Sequence, residues 1–319
     1  MTGIDEDEAK LYDRQIRLWG LSAQERIKNH IVFVHGLNLV TSEIIKNIVL
    51  AGIKSLHLVL GQESESHQKN FLINDKSLTN LANDIKLTIS ELNPRVQVKI
   101  HSKVNLNEVE EEIKLCETII ILANVNDWKV KQDYILNLHP TANTIFFDSI
   151  GQQAFANFFF GTYEYFDEET AAVAASSSSN KNVQNFPTVD QLLEIDLSTL
   201  VKGPKFQIPV ALLILKMLKT TDSISFEDWK KFSSSHQLPE KLLTQDHVDS
   251  CKDGDDVPTS AIVGGFIAQI LLKAISKNSP IAGNTFLFNG LDCAGKFDWY
   301  PAPDLKQVNE QNIFVDEIL

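Results

Sequence analysis

Residues 31–52, IVFVHGLNLVTSEIIKNIVLAG, decide how the rest of the chain reads. The first five are short and apolar enough for a strand buried on both faces of a sheet. After Gly36 the period changes. Ile44, Ile45, Ile48 and Val49 fall at helical spacing, Thr41 or Ser42 offers a hydroxyl to cap the helix, and Gly52 stops it. A strand, a glycine turn and a helix in that order form the opening unit of a doubly wound sheet.

Outward from that unit the rhythm repeats. Residues 56–60 read as a second strand, and Leu78, Leu81, Ile85, Ile89 and Leu92 line one face of a helix that ends before Pro94. Residues 96–100 alternate. Residues 118–123 (TIIILA) and 144–148 (TIFFD) are two more buried strands, with a helix over 127–138 between them. The expected fold class is therefore α/β, a Rossmann-like doubly wound, mostly parallel sheet. Residues 154–166 (AFANFFFGTYEYF) break the rhythm as a long aromatic strand or hairpin covering part of the sheet, which closes an N-terminal half over residues 1–166. Residues 167–186 turn acidic and then Ala/Ser-rich, and read as a flexible linker. Residues 187–300 are expected to supply a helical segment and the C-terminal part of the same domain. Within them 259–276 is the most apolar helix, with Ser260 near its start, and short strands follow near 285–289 and 295–300. Residues 301–319 read as a polar, loosely held tail.

Composition narrows the function. The 319 residues carry 29 Lys and Arg against 42 Asp and Glu, a net charge of −13, which argues against nucleic acid as a partner. The three cysteines, Cys116, Cys251 and Cys293, contain no CxxC pair. So sparse a set fits a reducing compartment, excludes a four-cysteine zinc site and reads as structural. The eight histidines include no HExxH, so no metal is expected. No apolar run is read as approaching the roughly 20 residues of a membrane span, and the acidic opening MTGIDEDEAK is unlike a leader sequence.

A nucleotide would sit at the turn after the first strand. An intact G-x-G-x-x-G turn lets the backbone approach phosphate oxygens and the helix pack closely. Here the run is Gly36-Leu37-Asn38-Leu39-Val40-Thr41: one glycine remains, Asn38 stands for the second and Thr41 for the third. Asn38 is expected to fill space that phosphates would need. An acid at the end of the second strand would hold the ribose, yet Leu60 occupies that position and the next acid is Glu63. Two requirements for nucleotide binding fail together. Spacing alone fits equally well a strand–turn–helix that never held a nucleotide.

The N-terminal run 11–20, LYDRQIRLWG, followed by Ala23-Gln24, resembles the opening of enzymes that activate ubiquitin and its relatives, the ubiquitin-activating/ThiF–MoeB superfamily. Among them it is most similar to the small, non-thioester subunits of SUMO-activating heterodimers. The likeness continues through 31–52, resumes at Leu92-Asn93-Pro94, and returns at 261–265 (AIVGG), Ala268-Gln269 and 286–290 (FLFNG); the stretch from about 165 to 255 matches only in general character. The resemblance implies a pseudosymmetric heterodimer. The large catalytic subunit binds ATP and Mg²⁺, adenylates the SUMO C-terminus and carries the thioester cysteine, from which SUMO passes to a conjugating enzyme. This chain binds no cofactor and no metal. It completes the dimer and lends Arg14 in trans to the partner-bound ATP, with Arg17 as a second candidate. Residence in the nucleus, with the cytoplasm as the alternative, follows from the resemblance only. The run GLNLVT is more eroded than the family's small subunits often show, and the family's Mg-ATP aspartate has no clean counterpart, Asn126 or Asp127 being nearest. Rival readings are the small subunit for another ubiquitin-like modifier, a self-sufficient homodimeric adenylating enzyme of the ThiF/MoeB type, and a NAD-dependent oxidoreductase. The last two require the glycines and acid missing here. The first, for the cullin modifier, would be considerably longer.

Overall fold

Three helices precede the first strand: α1 (Glu6–Leu11), α2 (Asp13–Trp19) and α3 (Leu21–Asn29). In this computed structural model, residues 3–61, 69–74, 80–101, 105–166, 181–197, 208–221, 224–252 and 254–301 are described. β1 (Ile31–His35) runs into α4 (Leu39–Ala51), then β2 (Ser55–Val59), α5 (Leu81–Leu92) and β3 (Gln97–His101). After α6 (Glu110–Ile113) come β4 (Thr118–Leu122), α7 (Trp128–Leu138), β5 (Asn143–Ile150), β6 (Gln153–Phe159), β7 (Thr162–Phe166) and β8 (Lys181–Asn185). α8 (Val189–Leu193), α9 (Val210–Leu218), α10 (Phe226–Ser235) and α11 (Gln245–Asp249) lead to α12 (Val257–Ser276), β9 (Thr285–Asn289) and β10 (Ala294–Asp298).

Eight strands form one sheet in the order β10-β9-β6-β5-β4-β1-β2-β3. The five from β5 to β3 are parallel, with Val34 of β1 opposite Leu58 on one side and Ile120 on the other. β6, β9 and β10 extend it antiparallel. Alternation along β1 divides the core: Val32 and Val34 point to α4, α5 and α12, whereas Phe33 points to the layer of α7, α9 and α10. Burial on both faces explains why the central strands are apolar without a polar alternation. The chain winds one way from β1 to β3 and the other from β4 to β5. The crevice between the carboxyl ends of β1 and β4 is therefore the switch point where such sheets hold ligands.

α4 is held in place by packing more than by propensity. Val40, Thr41, Ile44, Ile45, Ile48 and Val49 are β-branched and intrinsically poor helix formers, yet all are fully buried. Each large side chain contributes about 1.5–3 kcal/mol on burial, more than the few tenths lost to propensity. α12 lies along α4, and Gly264 makes that approach possible: a Cβ there would stand 2.5 Å from Glu43 Cβ and 2.7 Å from the Val40 carbonyl oxygen.

Several expectations are corrected. α4 is capped by Asn38, three residues before Thr41 and four before Ser42; neither hydroxyl is the cap, because the helix begins at Leu39. The aromatic run 154–166 is two strands in different sheets: β6 lies inside the main sheet between β5 and β9, and β7 pairs with β8 in a separate two-stranded sheet. The end of the expected linker is therefore ordered, since Lys181–Asn185 is β8 and Phe186 is buried against Phe160 and Trp299. Residues 167–180 of that linker, Leu78, Glu63 and the tail from 302 onward lie outside the described residues. α12 spans 20 residues and is apolar and long enough to cross a membrane. The expectation of no such run is overturned, but most of α12 is buried against α4 and the sheet, as befits a core helix.

Candidate functional site

The switch-point crevice has a volume of about 430 Å³. β1 delivers His35 and Gly36 to its floor, β2 delivers Leu60 and Gly61, β4 delivers Ala123 and Asn124, and β5 delivers Asp148 and Ser149. Gly36 keeps its place for a steric reason. Its φ is +91°, and a Cβ would meet the Leu122 Cβ at 2.8 Å. Asn38, at the second glycine's position, has φ −137°, which any L residue adopts, so the fold itself does not demand glycine there.

Asn38 turns the helix start inward. Its Oδ1 accepts from the Thr41 N–H and the Thr41 hydroxyl, both at 2.9 Å, and its Nδ2 donates to Ser149 Oγ at 3.2 Å. The Gly36 and Leu37 N–H groups donate to the carbonyls of Val59 and Leu60 at 2.9 and 3.0 Å. The backbone donors at Gly36, Leu37 and Thr41, which a phosphate-binding turn would offer a ligand, thus serve the chain itself. Leu60, at the position where a ribose-binding acid would stand, packs against the core. These residues do not fit a bound nucleotide. Asn38→Ala is expected to cost about 1 kcal/mol in a urea titration, while Asn38→Asp keeps the cap and most of the stability.

Acids, not cations, dominate the crevice wall. Asp148 accepts from the Ser149 N–H at 2.9 Å, and burial pushes its pKa up to about 7. The Asp255 carboxylate pushes the same way, opposed by the Ser149 N–H and by the charge of Lys131. Lys131 itself pairs with exposed Asp127 at 3.5 Å. In the unfolded chain the carboxyl ionises near pH 4. The folded state therefore holds the proton more tightly, and its stability advantage fades as pH rises from about 4 to about 7. Between pH 5 and 8 the wild-type chain is expected to lose more stability than Asp148→Asn, by on the order of 2 kcal/mol, measured as the difference in urea midpoints. Of the two positions nearest the family's magnesium aspartate, Asn126 donates to the Leu218 carbonyl at 3.1 Å and Asp127 is the exposed partner of Lys131.

The two arginines predicted as functional lie elsewhere. The arm formed by α2 and α3 is anchored at the far end of α4: Gln15 Nε2 donates to the Leu50 carbonyl, Gln24 Nε2 to the Ala51 carbonyl, and the Tyr12 ring stands against Gly52, which caps the helix at φ +85°. Tyr12 OH accepts from Asn93 Nδ2 at 2.9 Å, and Trp19 Nε1 donates to Gln24 Oε1 at 3.1 Å. The motif residues Tyr12, Gln15, Trp19 and Gln24, with Asn93, therefore hold this arm to the body. Arg14 and Arg17 are both exposed. Arg17 Nε pairs with Asp13 at 3.0 Å, whereas Arg14 makes no hydrogen bond or ion pair with any described residue. At about 1.5 Å of rise per residue, the two ends of α4 are separated by about 18 Å. Arg14 and the crevice of its own chain thus stand at opposite ends of the helix.

Cys116 and Cys251 are buried, and burial pushes the Cys116 thiol up to about 12 and the Cys251 thiol to about 11, so neither is a ready nucleophile. Cys293 departs from the structural reading: it is exposed, in a turn at φ +50°. Among the described residues no three His, Cys, Asp or Glu side chains gather as a metal site.

A model of the ThiF family matches residues 12–302. The chain belongs to the ThiF family. Curated relatives named SUMO-activating enzyme subunit 1 align over nearly its whole length. The protein of Rattus norvegicus is 30% identical, covering 92% of this chain and 94% of its own; that of Xenopus tropicalis is 29% identical, covering 92% and 97%; that of Homo sapiens is 28% identical, covering 91% and 94%. Solved structures share the ThiF-family fold at low identity. PaaA superposes with a TM-score of 0.59 at 14% identity, over 94% of this chain and 85% of that one, and E. coli MccB with 0.56 at 12%, over 93% and 71%. This ThiF-family chain is therefore similar to subunits of SUMO-activating enzymes along a sequence in which Gly36 stays and the other two turn glycines are gone.

Proposed function

We propose that this chain is the small, non-thioester subunit of a SUMO-activating heterodimer, and that Arg14 acts on ATP held by its partner. The observation that carries the reading is the position of Arg14. It is exposed, lacks an ion-pair partner among the described residues, and sits on an arm fastened to the end of α4 remote from a crevice unsuited to nucleotide. A guanidinium is always charged and matches phosphate oxygens in a fork geometry, so it is suited to favour charge developing at the α-phosphate as a carboxylate attacks. Its surroundings suit a protein contact: Leu11 and Leu18 on the same arm are 60% and 78% exposed, and Leu50 beside it is 45% exposed. Arg17, engaged by Asp13, takes a lesser part.

In this reading the chain binds neither ATP nor Mg²⁺. The large subunit holds both, carries the thioester cysteine, and with this chain presents SUMO to a conjugating enzyme; nuclear residence belongs to the same proposal. The names of the relatives and the absence of a fitting nucleotide site support it together. ATP–pyrophosphate exchange tests it. The isolated chain is expected to give no exchange with SUMO, and the pair with the large subunit to give robust exchange. Exchange by the isolated chain would return it to the self-sufficient adenylating enzymes.

A further inference from the structure

A cavity of about 710 Å³ opens at the amino ends of the central strands, the other end of the sheet from the crevice. Its walls are the last turn of α3, His30 just ahead of β1, the amino ends of β4 and β5, the β6–β7 corner and the carboxyl end of α12. That volume falls within the range of small-molecule sites.

Two of its cations, Arg26 and Lys277, form no ion pair with a described residue. Arg26 Nη2 donates to the Ser276 carbonyl and, at 3.0 Å, to Asn278 Oδ1, while its Nε is buried without an acceptor. No described carboxylate forms an ion pair with it. Burial holds its guanidinium below the ordinary pKa. Lys277, at φ +54° just past α12, likewise has no ion pair with a described residue. Beside them His30 Nε2 meets Thr118 Oγ1 at 2.8 Å; burial first, and the Lys277 charge after it, push its pKa down to about 4. Glu25, Glu117 and Glu164 also line the cavity. Glu25 and Glu117 each commit an oxygen to a backbone N–H, of Gly3 at 3.0 Å and of Ile31 at 2.8 Å.

We propose that this cavity is a second ligand site, taking the oxyanion group, carboxylate or phosphate, of a small organic molecule between Arg26 and Lys277. Cations without a direct ion-pair partner in a partly buried concave site, with the Arg26 Nε left without an acceptor, favour such a group, because charge-assisted hydrogen bonds strengthen as water is excluded. The site stands apart from the crevice and does not depend on the subunit assignment.

The test uses the full chain at constant ionic strength, with pyrophosphate and citrate as probes, followed by the His30 imidazole NMR signal and by calorimetry. A saturable shift of His30 is expected with at least one probe. Pyrophosphate binding more tightly assigns phosphate ligands, and citrate binding more tightly assigns carboxylates. Lys277→Gly suits the left-handed backbone, so it should fold, and it is expected to weaken binding about tenfold, as is Arg26→Gln. Absence of saturable binding, or binding undiminished in both variants, overturns the proposal.

Discussion

Arg14→Ala in the assembled pair is expected to slow ATP–pyrophosphate exchange roughly tenfold to a thousandfold, the range for removing one charged contact to a transition state. The fold should not notice the change, because Arg14 touches no described hydrogen-bond or ion-pair partner that the substitution would orphan. Melting temperature and pairing affinity are therefore expected to stay near wild type, separating a lost contact to ATP from a lost subunit. Arg14→Lys keeps the charge but not the fork, and should recover only part of the rate. Arg17→Ala serves as the internal comparison. Its pair with Asp13 is exposed on both sides, which limits its worth to well under about 1 kcal/mol, and its exchange rate should fall only a few-fold. Wild-type exchange in Arg14→Ala, or an equal loss in Arg17→Ala, would refute the assignment of Arg14.

The difference between these neighbouring arginines was beyond the reach of the sequence. Asp13 precedes both, and only the helical phase of α2 decides that it meets Arg17, four residues on, and leaves Arg14 free. The parallel strands, by contrast, were legible because burial on both faces makes them uniformly apolar, and α12 because it is the most apolar helix. The cap of α4 departs from the sequence pattern for a physical reason. Thr41 and Ser42 are good capping residues, but both hydroxyls turn back to Asn38, Thr41 to its Oδ1 and Ser42 to its carbonyl at 2.9 Å. Asn38 stands where the family's second glycine is missing and also supplies the cap, so one side chain does both. β8 was hidden because Lys-Asn-Val-Gln-Asn carries no apolar alternation, and its order comes from pairing with β7. The acids of the crevice, Asp148 and Asp255, are more than a hundred residues apart and no local pattern joins them.

Gly264 and Gly265 are adjacent on α12 and are expected to respond oppositely to substitution. A glycine inside a helix costs about 1 kcal/mol relative to alanine, so each needs a compensating gain. Gly264 has one within the chain. Its missing side chain admits the Glu43 Cβ and the Val40 carbonyl, and Gly264→Ala must push α12 off α4. Overpacking of this kind costs about 1–3 kcal/mol, and Gly264→Val should cost more, read as a fall in urea midpoint of the free chain. A Cβ on Gly265 meets nothing within 4 Å, so Gly265→Ala should leave the free chain as stable or raise it by up to about 1 kcal/mol. The face it shares also exposes Ala261 and Ile262, the latter 48%. If that face meets the large subunit, Gly265→Leu should weaken pairing at least tenfold while the free chain folds normally, and equilibrium binding of the two subunits measures this. Undiminished pairing would remove this face of α12 from the interface and leave the glycine without a known gain. The same helix would then owe its apolar character to the core alone, through Val263, Ile267 and Leu271, all fully buried.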